Sequence, residues 1–381
     1  MTKRTIAIAS PSIGPEEWNA VREPLESGWL TQGPKVAEFE HAFAEMHEVD
    51  HALATTSCTT ALHLGLAAMG IGPGDEVIVP SFTWVATANV VLYCGATPVL
   101  ADVRPDTFNL DPEAMARAVT DRTRAVIAVH LFGLCADMDA IRASLPDSVD
   151  IIEDAACAAG AAYKERPAGG LGQAGAFSFH PRKAITTGEG GMLTTRDGDL
   201  SARAERLRNH GAGLSEEARH RGSRPWDLPE FDELGFNYRM TDLQAAVGVV
   251  QLGKLEGFVA ERDRWAQYYA TALEDLPWLT TPATPDGYRH AWQSYVCRVD
   301  PATAPMPRDA LMAALHDAGV ASRPGTHAVH TLGYYRERFG YQPGDLPNSA
   351  SCADNTLAIP LHNRMSEADF NYVVEVIRGI E

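Results

Sequence analysis

Residues 176–193 read AFSFHPRKAITTGEGGML and place a lysine, Lys183, between a strand-like run and a cluster of glycines. Lysine side chains are mostly exposed, so a solvated turn residue is the ordinary interpretation of Lys183. A nucleotide-binding P-loop does not fit, because that motif needs a lysine directly after its last glycine. The glycines instead suit a tight backbone approach into the strand GGMLTT (190–195). The role of Lys183 therefore depends on what the rest of the chain brings near it.

The composition predicts a globular protein with one large domain and a smaller one, or two domains. The chain has 381 residues, of which 45% are hydrophobic and 22% are charged, which allows a sizeable core. Its formal net charge of -18 argues against nucleic acid or an anionic membrane surface as the main partner. An anionic small molecule stays possible, because a site can be locally basic.

The cysteines and the N-terminus indicate the compartment. Six cysteines are scattered along the chain, with no CxxC pair and no spacing typical of a metal site, at positions 58, 94, 135, 157, 297 and 352. We therefore expect reduced thiols, a cytoplasmic protein and no bound metal. The N-terminal stretch lacks the long apolar core of a signal peptide, and no run of about 18 apolar residues predicts a membrane span.

Short apolar runs alternate with helix-like stretches between residues 51 and 155. The runs predicted as buried strands are EVIVP (76–80), TPVLADV (97–103), RAVIAVHLF (124–132) and VDIIED (149–154), and AGAFSFH (174–180) and GGMLTT follow them. TTALHLGLAAMG (59–70), WVATANVVLYCG (84–95) and DPEAMARAV (111–119) are predicted as helices. Apolar strands that alternate with helices indicate an α/β fold with a mostly parallel sheet covered on both faces.

Residues 241–273 keep helical periodicity without a proline, which predicts a long helix joining two domains. The stretches SYVCRV (294–299), RDALMAALHDAG (308–319), TLAIPL (356–361) and SEADFNYVVEVIRGI (366–380) predict a smaller α+β domain. We expect a large domain over residues 1–250, including the N-terminal segment, and a small one over residues 251–381. The polar, proline-containing stretch 212–232 predicts a surface loop.

Polar residues at the carboxyl ends of the strands are the candidates for a site, because open α/β sheets bind ligands there. The strand HALAT (51–55) is followed by Thr56, Ser57, Cys58 and Thr59, which open a helix. Free N–H groups at a helix start, together with short hydroxyls, suit a phosphate. A plain N-cap by Ser57 or Thr59 is the alternative. Ser178, in the run AFSF, is a further hydroxyl that can point inward.

Asp154 and Trp84 also follow predicted strands. A carboxylate at the end of a buried strand is costly unless it meets a cation or hydrogen-bond donors, and the alternative for Asp154 is a helix N-cap. The alternative for Trp84 is a core or boundary tryptophan. Pyridoxal 5′-phosphate (PLP) uses all of these groups, since it needs an amine, a carboxylate beside its ring nitrogen, a phosphate cup and an aromatic neighbour. The combination predicts a PLP site around Lys183.

The chain resembles the sugar aminotransferases of the DegT/DnrJ/StrS group, which are built on the fold-type I PLP framework. The resemblance covers nearly the whole chain. It is carried by SGWLTQGPKVAEFEHAFAEM (27–46), SCTTALHLGLAAMGIGPGDEVIVPSFTWVATANVV (57–91), IIEDAACAAGA (151–161), FSFHPRKAITTGEGG (177–191) and LGFNYRMTDLQAAVG (234–248). It implies a fold-type I transferase with a mostly parallel sheet of seven-stranded type in the large domain.

The resemblance also implies roles for matching positions. Lys183 is implied as the lysine that binds the cofactor covalently and moves protons, Asp154 as the partner of the ring nitrogen, and Trp84 as the residue stacked on the ring. The segment 56–59 and Ser178 are implied to hold the phosphate. Asn237 is implied to reach the phosphate of a neighbouring subunit, which predicts a homodimer with shared active sites. A local turn is the alternative for Asn237.

Two positions depart from the family pattern. Cys157 stands where the family often has Gln or His facing the cofactor ring, so it is either a ring contact or a small packing residue. Gly325 stands where the family often has a histidine, whereas His330 matches a recurrent one. We therefore expect substrate handling near residue 325 to differ.

The resemblance implies a PLP-dependent aminotransferase that moves an amino group from glutamate or glutamine to a keto-sugar, most simply a nucleotide-linked 3- or 4-keto-deoxysugar. Arg182, Arg239 and Arg323 are candidates for binding a diphosphate or the donor carboxylate, and surface ion pairing is the ordinary alternative for each. The remaining candidates for a substrate pocket at the dimer seam are Trp29, Thr31, His180 and His330, with residues 326–330 as a further wall.

Three alternatives stay open. A PLP-dependent sugar dehydratase of the same fold is one, but in this family that chemistry goes with histidine in place of the lysine. A non-catalytic protein of the same fold is another, against which Lys183, Asp154 and Trp84 argue. The third is a glutamine-dependent cyclitol aminotransferase.

Overall fold

The computed structural model describes residues 4–213, 226 and 230–380. Its strands are β1 His51–Thr55, β2 Glu76–Pro80, β3 Phe82–Thr83, β4 Thr97–Ala101, β5 Thr123–Val129, β6 Asp150–Asp154, β7 Ala162–Tyr163, β8 Arg166–Pro167, β9 Ala174–Ser178, β10 Gly191–Thr195, β11 Leu279–Thr280, β12 Tyr288–Arg289, β13 Tyr295–Val299, β14 His327–Ala328 and β15 Thr356–Ile359. Most of the surface loop predicted over 212–232 lies outside the described residues.

The helices alternate with the strands in the first half of the chain. They are α1 Pro15–Ala20, α2 Arg22–Ser27, α3 Pro34–Met46, α4 Cys58–Ala68, α5 Ala86–Tyr93, α6 Pro112–Ala118, α7 Met138–Ala143, α8 Gly198–Arg208, α9 Asp242–Ala272, α10 Arg308–Asp317, α11 Gly333–Phe339, α12 Pro347–Asn355 and α13 Glu367–Arg378. Two short 3₁₀ turns cover Leu131–Gly133 and Val329–Thr331. The strands and helices predicted from the periodicity form, with ends shifted by a few residues.

The central sheet has seven strands in the order β1-β10-β9-β6-β5-β2-β4. The pairs among β9, β6, β5, β2 and β4 are parallel, and β10 runs antiparallel to both of its neighbours. The predicted mostly parallel α/β sheet is therefore confirmed. Because β6 and β9 are parallel neighbours, their carboxyl ends meet at one edge, and the loop that carries Lys183 leaves β9 at that edge.

The strands are apolar on both faces because each face packs under helices. Ile151 and Phe177 lie in a core cluster with α3 and α9, whereas Ile152 and Ala176 lie in a second cluster with α4 and α8. Successive residues of a strand point to opposite faces, which places neighbours in sequence in different clusters.

Glu153 is the buried acidic residue of the α3 and α9 side. Its carboxylate accepts hydrogen bonds from the N–H groups of Gly169, Leu171 and Gly172 at 2.6, 2.7 and 2.8 Å. His130 Nε2 lies 2.9 Å from the same carboxylate, and both side chains are fully buried. Donors on every side make this burial tolerable, and they fix the end of β6 against the loop before β9.

Helix α9 is the predicted long helix, and it is 31 residues long. Thr241 caps its start, and the carboxylate of Asp242 accepts from the N–H groups of Gly33 and Val36 at 2.8 and 3.0 Å at the start of α3. The helix therefore begins by holding α3 in place. Within the described ranges, neither α9 nor another helix is long and apolar enough to cross a membrane.

The C-terminal part contains a three-stranded sheet in the order β11-β13-β15, packed with α10 and α13 around its own core cluster. The start of the chain joins this part, since Ile6 forms a parallel bridge with Val320 and lies in the same cluster. Two short antiparallel pairs, β12 with β7 and β14 with β3, connect it to the large sheet. Position 250 falls inside α9, and the division into 1–250 and 251–381 stays a prediction.

Gly191 provides a test of the packing at the site edge. A Cβ at this position would lie 2.3 Å from the carbonyl carbon of Ser57 and 2.5 Å from the nitrogen of Cys58. We expect Gly191→Ala to destabilise the protein by about 1–3 kcal/mol, because backbone rather than a flexible side chain must move. A lower melting temperature, measured by circular dichroism, checks this.

Gly253→Ala is the matched control, because Gly253 is exposed in α9 and has open space around it. In a helix this change stabilises by about 0.5–1 kcal/mol. A Gly191→Ala protein that melts at or above the wild-type temperature would contradict the close approach.

Candidate active site

Lys183 lies in the loop between β9 and β10, and its side chain turns back toward β6. Its backbone N–H donates to the His180 carbonyl at 2.8 Å. Its half-buried amine donates to Cys157 Sγ at 3.1 Å. No carboxylate of the described residues lies within ion-pair distance of this amine. Lys183 is thus a basic group held at the sheet edge rather than a surface ion pair.

Asp154 ends β6 and is 6% exposed. Its carboxylate accepts from Thr87 Oγ1 at 2.7 Å and from the Ala156 N–H at 3.2 Å, and Cys58 Sγ lies 3.9 Å away. No lysine, arginine or histidine side chain in the described ranges forms an ion pair with it. A buried carboxylate with donors but no cation fits a ligand that supplies the positive charge, such as a protonated ring nitrogen.

The start of α4 lies directly beside Asp154. Ser57 is the N-cap, and its Oγ accepts from the Thr60 N–H at 3.2 Å. The next N–H groups, those of Cys58 and Thr59, have no intrahelical acceptor, as at every helix start. Burial, and the nearby charge of Asp154, raise the pKa of the Cys58 thiol well above its usual range, so this thiol is neutral. The segment 56–59 therefore presents donors and no competing negative charge.

Ser178 ends β9 opposite Gly191, close to the start of α4. Its half-buried hydroxyl accepts from the His180 N–H at 3.4 Å. The start of α4 and Ser178 thus lie on either side of Gly191, which packs closely against the backbone of Ser57 and Cys58. This arrangement suits the predicted phosphate cup.

Trp84 precedes α5 and is 61% exposed. Its ring meets the ring of His327 edge-on, with 5.6 Å between centroids. An exposed fraction this large excludes a core position, and a boundary tryptophan stays the alternative to a ligand contact. Its stacking on a cofactor ring stays a prediction.

Asn237 and Arg239 lie near the start of α4, beside the predicted phosphate cup. Asn237 is exposed and forms a backbone bridge with Asn209, and Arg239 bridges to Thr55. Arg239 Nη1 donates to the Asn209 side chain at 2.5 Å. Arg239 is thus held near the start of α4, apart from the contacts of Arg182 and Arg323. A role of Asn237 across a dimer stays a prediction.

Trp29, Thr31 and His180 occupy two loops. Trp29 Nε1 donates to the Gln32 carbonyl at 3.1 Å, and the Thr31 carbonyl accepts from the Asp242 N–H at 3.1 Å. His180 Nδ1 accepts from the Arg182 N–H at 3.2 Å. Burial, and the charges of Lys183 and Arg182, lower the pKa of His180, which therefore stays neutral near pH 7. Their contact with substrate stays a prediction.

His330 is fully buried, and both of its ring nitrogens are engaged within the chain. Nδ1 lies 2.7 Å from Ser81 Oγ, and Nε2 lies 3.2 Å from the Pro343 carbonyl. In this arrangement the ring anchors the turn after β14 to the end of β2. A direct contact between His330 and a substrate stays a prediction, and the ring would have to leave this environment to make it.

Gly325, the other departure from the family pattern, has no room for a side chain. A Cβ there would lie 2.7 Å from Thr356 Oγ1 and 3.1 Å from the Phe132 ring. The N–H of Gly325 donates to the same Thr356 hydroxyl at 3.1 Å. Whatever a histidine does here in relatives must be done by other residues in this chain.

Thr87 and the pair Gln293–Ser294 are site residues that the sequence reasoning missed. Thr87 Oγ1 holds Asp154, and its position three residues after Trp84 at the start of a predicted helix was the available signal. Gln293 Nε2 donates to the Arg182 carbonyl at 3.0 Å, and Ser294 Oγ accepts from Arg323 Nη2 at 3.2 Å. No sequence motif marks Gln293 and Ser294, because their neighbours come from distant parts of the chain.

Each functional part of PLP has a matching group in this site. The helix start and Ser178 match the phosphate, the cation-free Asp154 matches the ring nitrogen, and Lys183 is the nearby amine. The fold and the site therefore define a fold-type I PLP-dependent enzyme.

Comparisons with known proteins agree with this class. The sequence model of the DegT/DnrJ/EryC1/StrS aminotransferase family matches residues 11–378. The spore coat polysaccharide biosynthesis protein SpsC of Bacillus subtilis is 43% identical over 372 residues, which are 97% of this chain and 95% of that protein. The chain belongs to the DegT/DnrJ/EryC1/StrS aminotransferase family, and it is a PLP-dependent aminotransferase.

Two solved structures of aminotransferases share the fold over their whole length. The aminotransferase TlmJ from Streptoalloteichus hindustanus is 34% identical with a TM-score of 0.89, and the match covers 98% of each chain. PseC of Helicobacter pylori, an aminotransferase involved in the biosynthesis of pseudoaminic acid, is 26% identical with a TM-score of 0.89, again over 98% of each chain.

Lys183→Ala tests the amine. We expect the purified variant to lose the covalently bound cofactor, and its turnover to fall by at least about 10²–10⁴-fold, because a positioned acid–base group is removed. Borohydride reduction followed by peptide mass analysis should label Lys183 in the wild-type protein. Normal transamination by Lys183→Ala would contradict its role.

Asp154→Asn tests the carboxylate. We expect kcat to fall about a hundredfold or more, because the charge that stabilises a protonated ring nitrogen is lost. Thr87→Val should cost less, about 10-fold, since it removes one hydrogen bond to that charge. Steady-state kinetics and cofactor absorbance spectra measure both. Wild-type kcat and spectra in Asp154→Asn would mean that Asp154 only caps the turn after β6.

Proposed function

We propose that this enzyme transfers an amino group from glutamate or glutamine to a keto-sugar, most simply a nucleotide-linked 3- or 4-keto-deoxysugar. The observation that carries the proposal is the Lys183 amine held 3.1 Å from Cys157 Sγ beside a buried, cation-free Asp154. The names of SpsC and PseC, which refer to polysaccharide and to pseudoaminic acid biosynthesis, support a sugar as acceptor.

Each residue has a defined task in this reaction. When bound, PLP supplies an electron sink for the negative charge left on the donor Cα after proton removal. Lys183 Nζ takes that proton as general base and returns a proton as general acid. Cys157 Sγ, as acceptor of a Lys183 hydrogen bond, orients the amine. Asp154, fixed by Thr87, holds a proton on the ring nitrogen, and the 56–59 segment with Ser178 fixes the phosphate.

The most useful test is a panel of keto-sugar nucleotides, each incubated with glutamate or glutamine and analysed by mass. We expect an amino-sugar nucleotide to appear with at least one acceptor. Turnover of an inositol-derived ketone alone would assign a cyclitol aminotransferase instead. Loss of water from the sugar without amination would assign a dehydratase, a result that Lys183 argues against.

We further propose a homodimer in which Asn237 serves the site of the other subunit. The exposure of Asn237 supports this, together with its place beside the cup that the start of α4 forms. C2 dimers are the commonest symmetric oligomers, and such an interface presents the same residue to both sites.

Co-expression of two inactive chains with different tags tests shared sites. One chain carries Lys183→Ala, and the other carries Asn237→Asp, which repels a phosphate. If Asn237 acts across the interface, the purified heterodimer has one intact site of two and regains roughly half of the wild-type activity. If Asn237 acts within its own chain, both sites are damaged and no activity returns. Failure to isolate a doubly tagged species would contradict the dimer itself.

A further inference from the structure

None of the three candidate arginines, Arg182, Arg239 and Arg323, has an acidic partner among the described residues. No carboxylate of the described residues lies within ion-pair distance of Arg182 or Arg323. Arg323 Nη2 donates to Ser294 Oγ at 3.2 Å, whereas its Nε is buried and has no hydrogen-bond partner in the described ranges. A guanidinium stays charged in proteins, so this group brings an uncompensated positive charge into a half-buried position.

The surroundings of Arg323 increase the cost of that charge. Burial, and then the positive charge of Arg182, lower the pKa of Arg323, and the thiol of Cys157 is the group that opposes this effect. A buried ion without a counter-ion is strongly unfavourable, and natural sites resolve this with a partner or a ligand. The chain has a net charge of -18, and an anionic ligand at this place would supply the counter-charge that no described carboxylate within ion-pair distance gives Arg323.

One route of contacts connects Arg323 to the loop that carries the reacting amine. Arg323 donates to Ser294, and Ser294 follows Gln293, whose amide donates to the carbonyl of Arg182, the residue before Lys183. Cys157, whose Sγ lies 3.1 Å from Lys183 Nζ, also acts electrostatically on Arg323. Arg323 is therefore tied to the segment that carries Lys183.

The fold holds Arg323 in this place. The backbone N–H of Arg323 donates to the Ala358 carbonyl at 3.3 Å, and its carbonyl accepts from the Ala358 N–H at 2.8 Å, which pairs it with the edge of β15. Two residues later Gly325 packs against Thr356 without room for a side chain. The segment thus holds Arg323 on a fixed backbone, with no side chain at 325 beside it.

We propose that Arg323, with Arg182 beside it, binds the α-carboxylate of the amino-acid donor. The proposal rests on the aminotransferase function proposed above and specifies its donor site. Lys183 Nζ must reach the proton on the donor Cα, and the α-carboxylate is bonded directly to that carbon. An anion site tied by hydrogen bonds to the residue before Lys183 therefore suits this carboxylate.

The diphosphate of a nucleotide sugar suits this position less well. In a 3- or 4-keto sugar, the ring separates the keto carbon from the carbon that carries the diphosphate. When the keto carbon lies at Lys183, the diphosphate lies on the far side of the sugar. Arg239 also has a buried Nε without a hydrogen-bond partner in the described ranges, but it is held by Asn209 and Thr55 near the start of α4 rather than by Ser294.

Measuring the two half-reactions one at a time distinguishes the donor α-carboxylate from the sugar diphosphate as the ligand of Arg323. Glutamate or glutamine is added to the PLP-loaded protein and the cofactor absorbance change is followed; after donor removal, a keto-sugar nucleotide restores the original spectrum. We expect Arg323→Gln to lower kcat/KM of the donor step by about 10–100-fold, because a charge-assisted hydrogen bond is lost. The sugar step should change less than about threefold.

A comparison of glutamate with glutamine shows which carboxylate of the donor Arg323 binds. Both carry the α-carboxylate, but only glutamate carries a second one, so equal losses with both donors support the proposal. A loss with glutamate alone, or a larger loss in the sugar step, overturns it. Arg323→Lys should recover part of the donor step because the charge is kept. Arg378→Gln is the matched control, since Arg378 is an exposed arginine of the C-terminal part, paired with Asp275 at 2.6 Å, and it should change neither step.

A binding measurement keeps the test independent of turnover. Calorimetry of the cofactor-free protein with 2-oxoglutarate should show binding to wild type and to Arg378→Gln, and at least about 10-fold weaker binding to Arg323→Gln. Equal binding by all three proteins overturns the proposal. If the wild-type protein reacts with no donor, the aminotransferase function fails while this measurement still decides whether Arg323 binds a carboxylate.

Discussion

Strand β6 ends with two consecutive buried carboxylates that point to opposite faces of the sheet. Glu153 is surrounded by three backbone N–H groups and His130, and these contacts fix the strand end to the loop before β9. Asp154, the next residue, therefore points to the opposite face, on the α4 side, where Thr87 and Cys58 surround its carboxylate. The position of the Asp154 carboxylate therefore depends on its neighbour Glu153, whose hydrogen bonds are satisfied within the chain.

The charges of the site are separated along the sheet edge. Asp154 is negative without a cation, whereas Lys183, Arg182 and Arg323 are positive without an acid among the described residues. Charges at half-buried positions are costly unless a partner compensates them. A ligand that carries a ring cation and anionic groups would satisfy both regions at once.

The sequence was sufficient for the sheet, the long helix and the central groups, for definite reasons. Parallel strands buried on both faces are continuous apolar runs, and the residues after β1, β2, β6 and β9 necessarily share one edge. Contacts between segments that are distant in the chain could not be predicted from the sequence. Ser294 meets Arg323, and Gln293 meets Arg182, through the packing of the C-terminal part on the large sheet, which no local pattern encodes. The buried state of His330 likewise depends on Ser81, which is 249 residues away in sequence.

Helix α9 also constrains how the enzyme can move. It starts by capping α3 through Asp242 and continues for 31 residues, without a proline, to the aromatic cluster of Trp265, Tyr269 and Phe370. The pairs β12–β7 and β14–β3 cross the same boundary. A rotation of the C-terminal part against the large part would bend α9 and break the hydrogen bonds of these two strand pairs at the same time. Any opening of the site would therefore involve the loops that carry Trp29 and Trp84 rather than a hinge between the two parts.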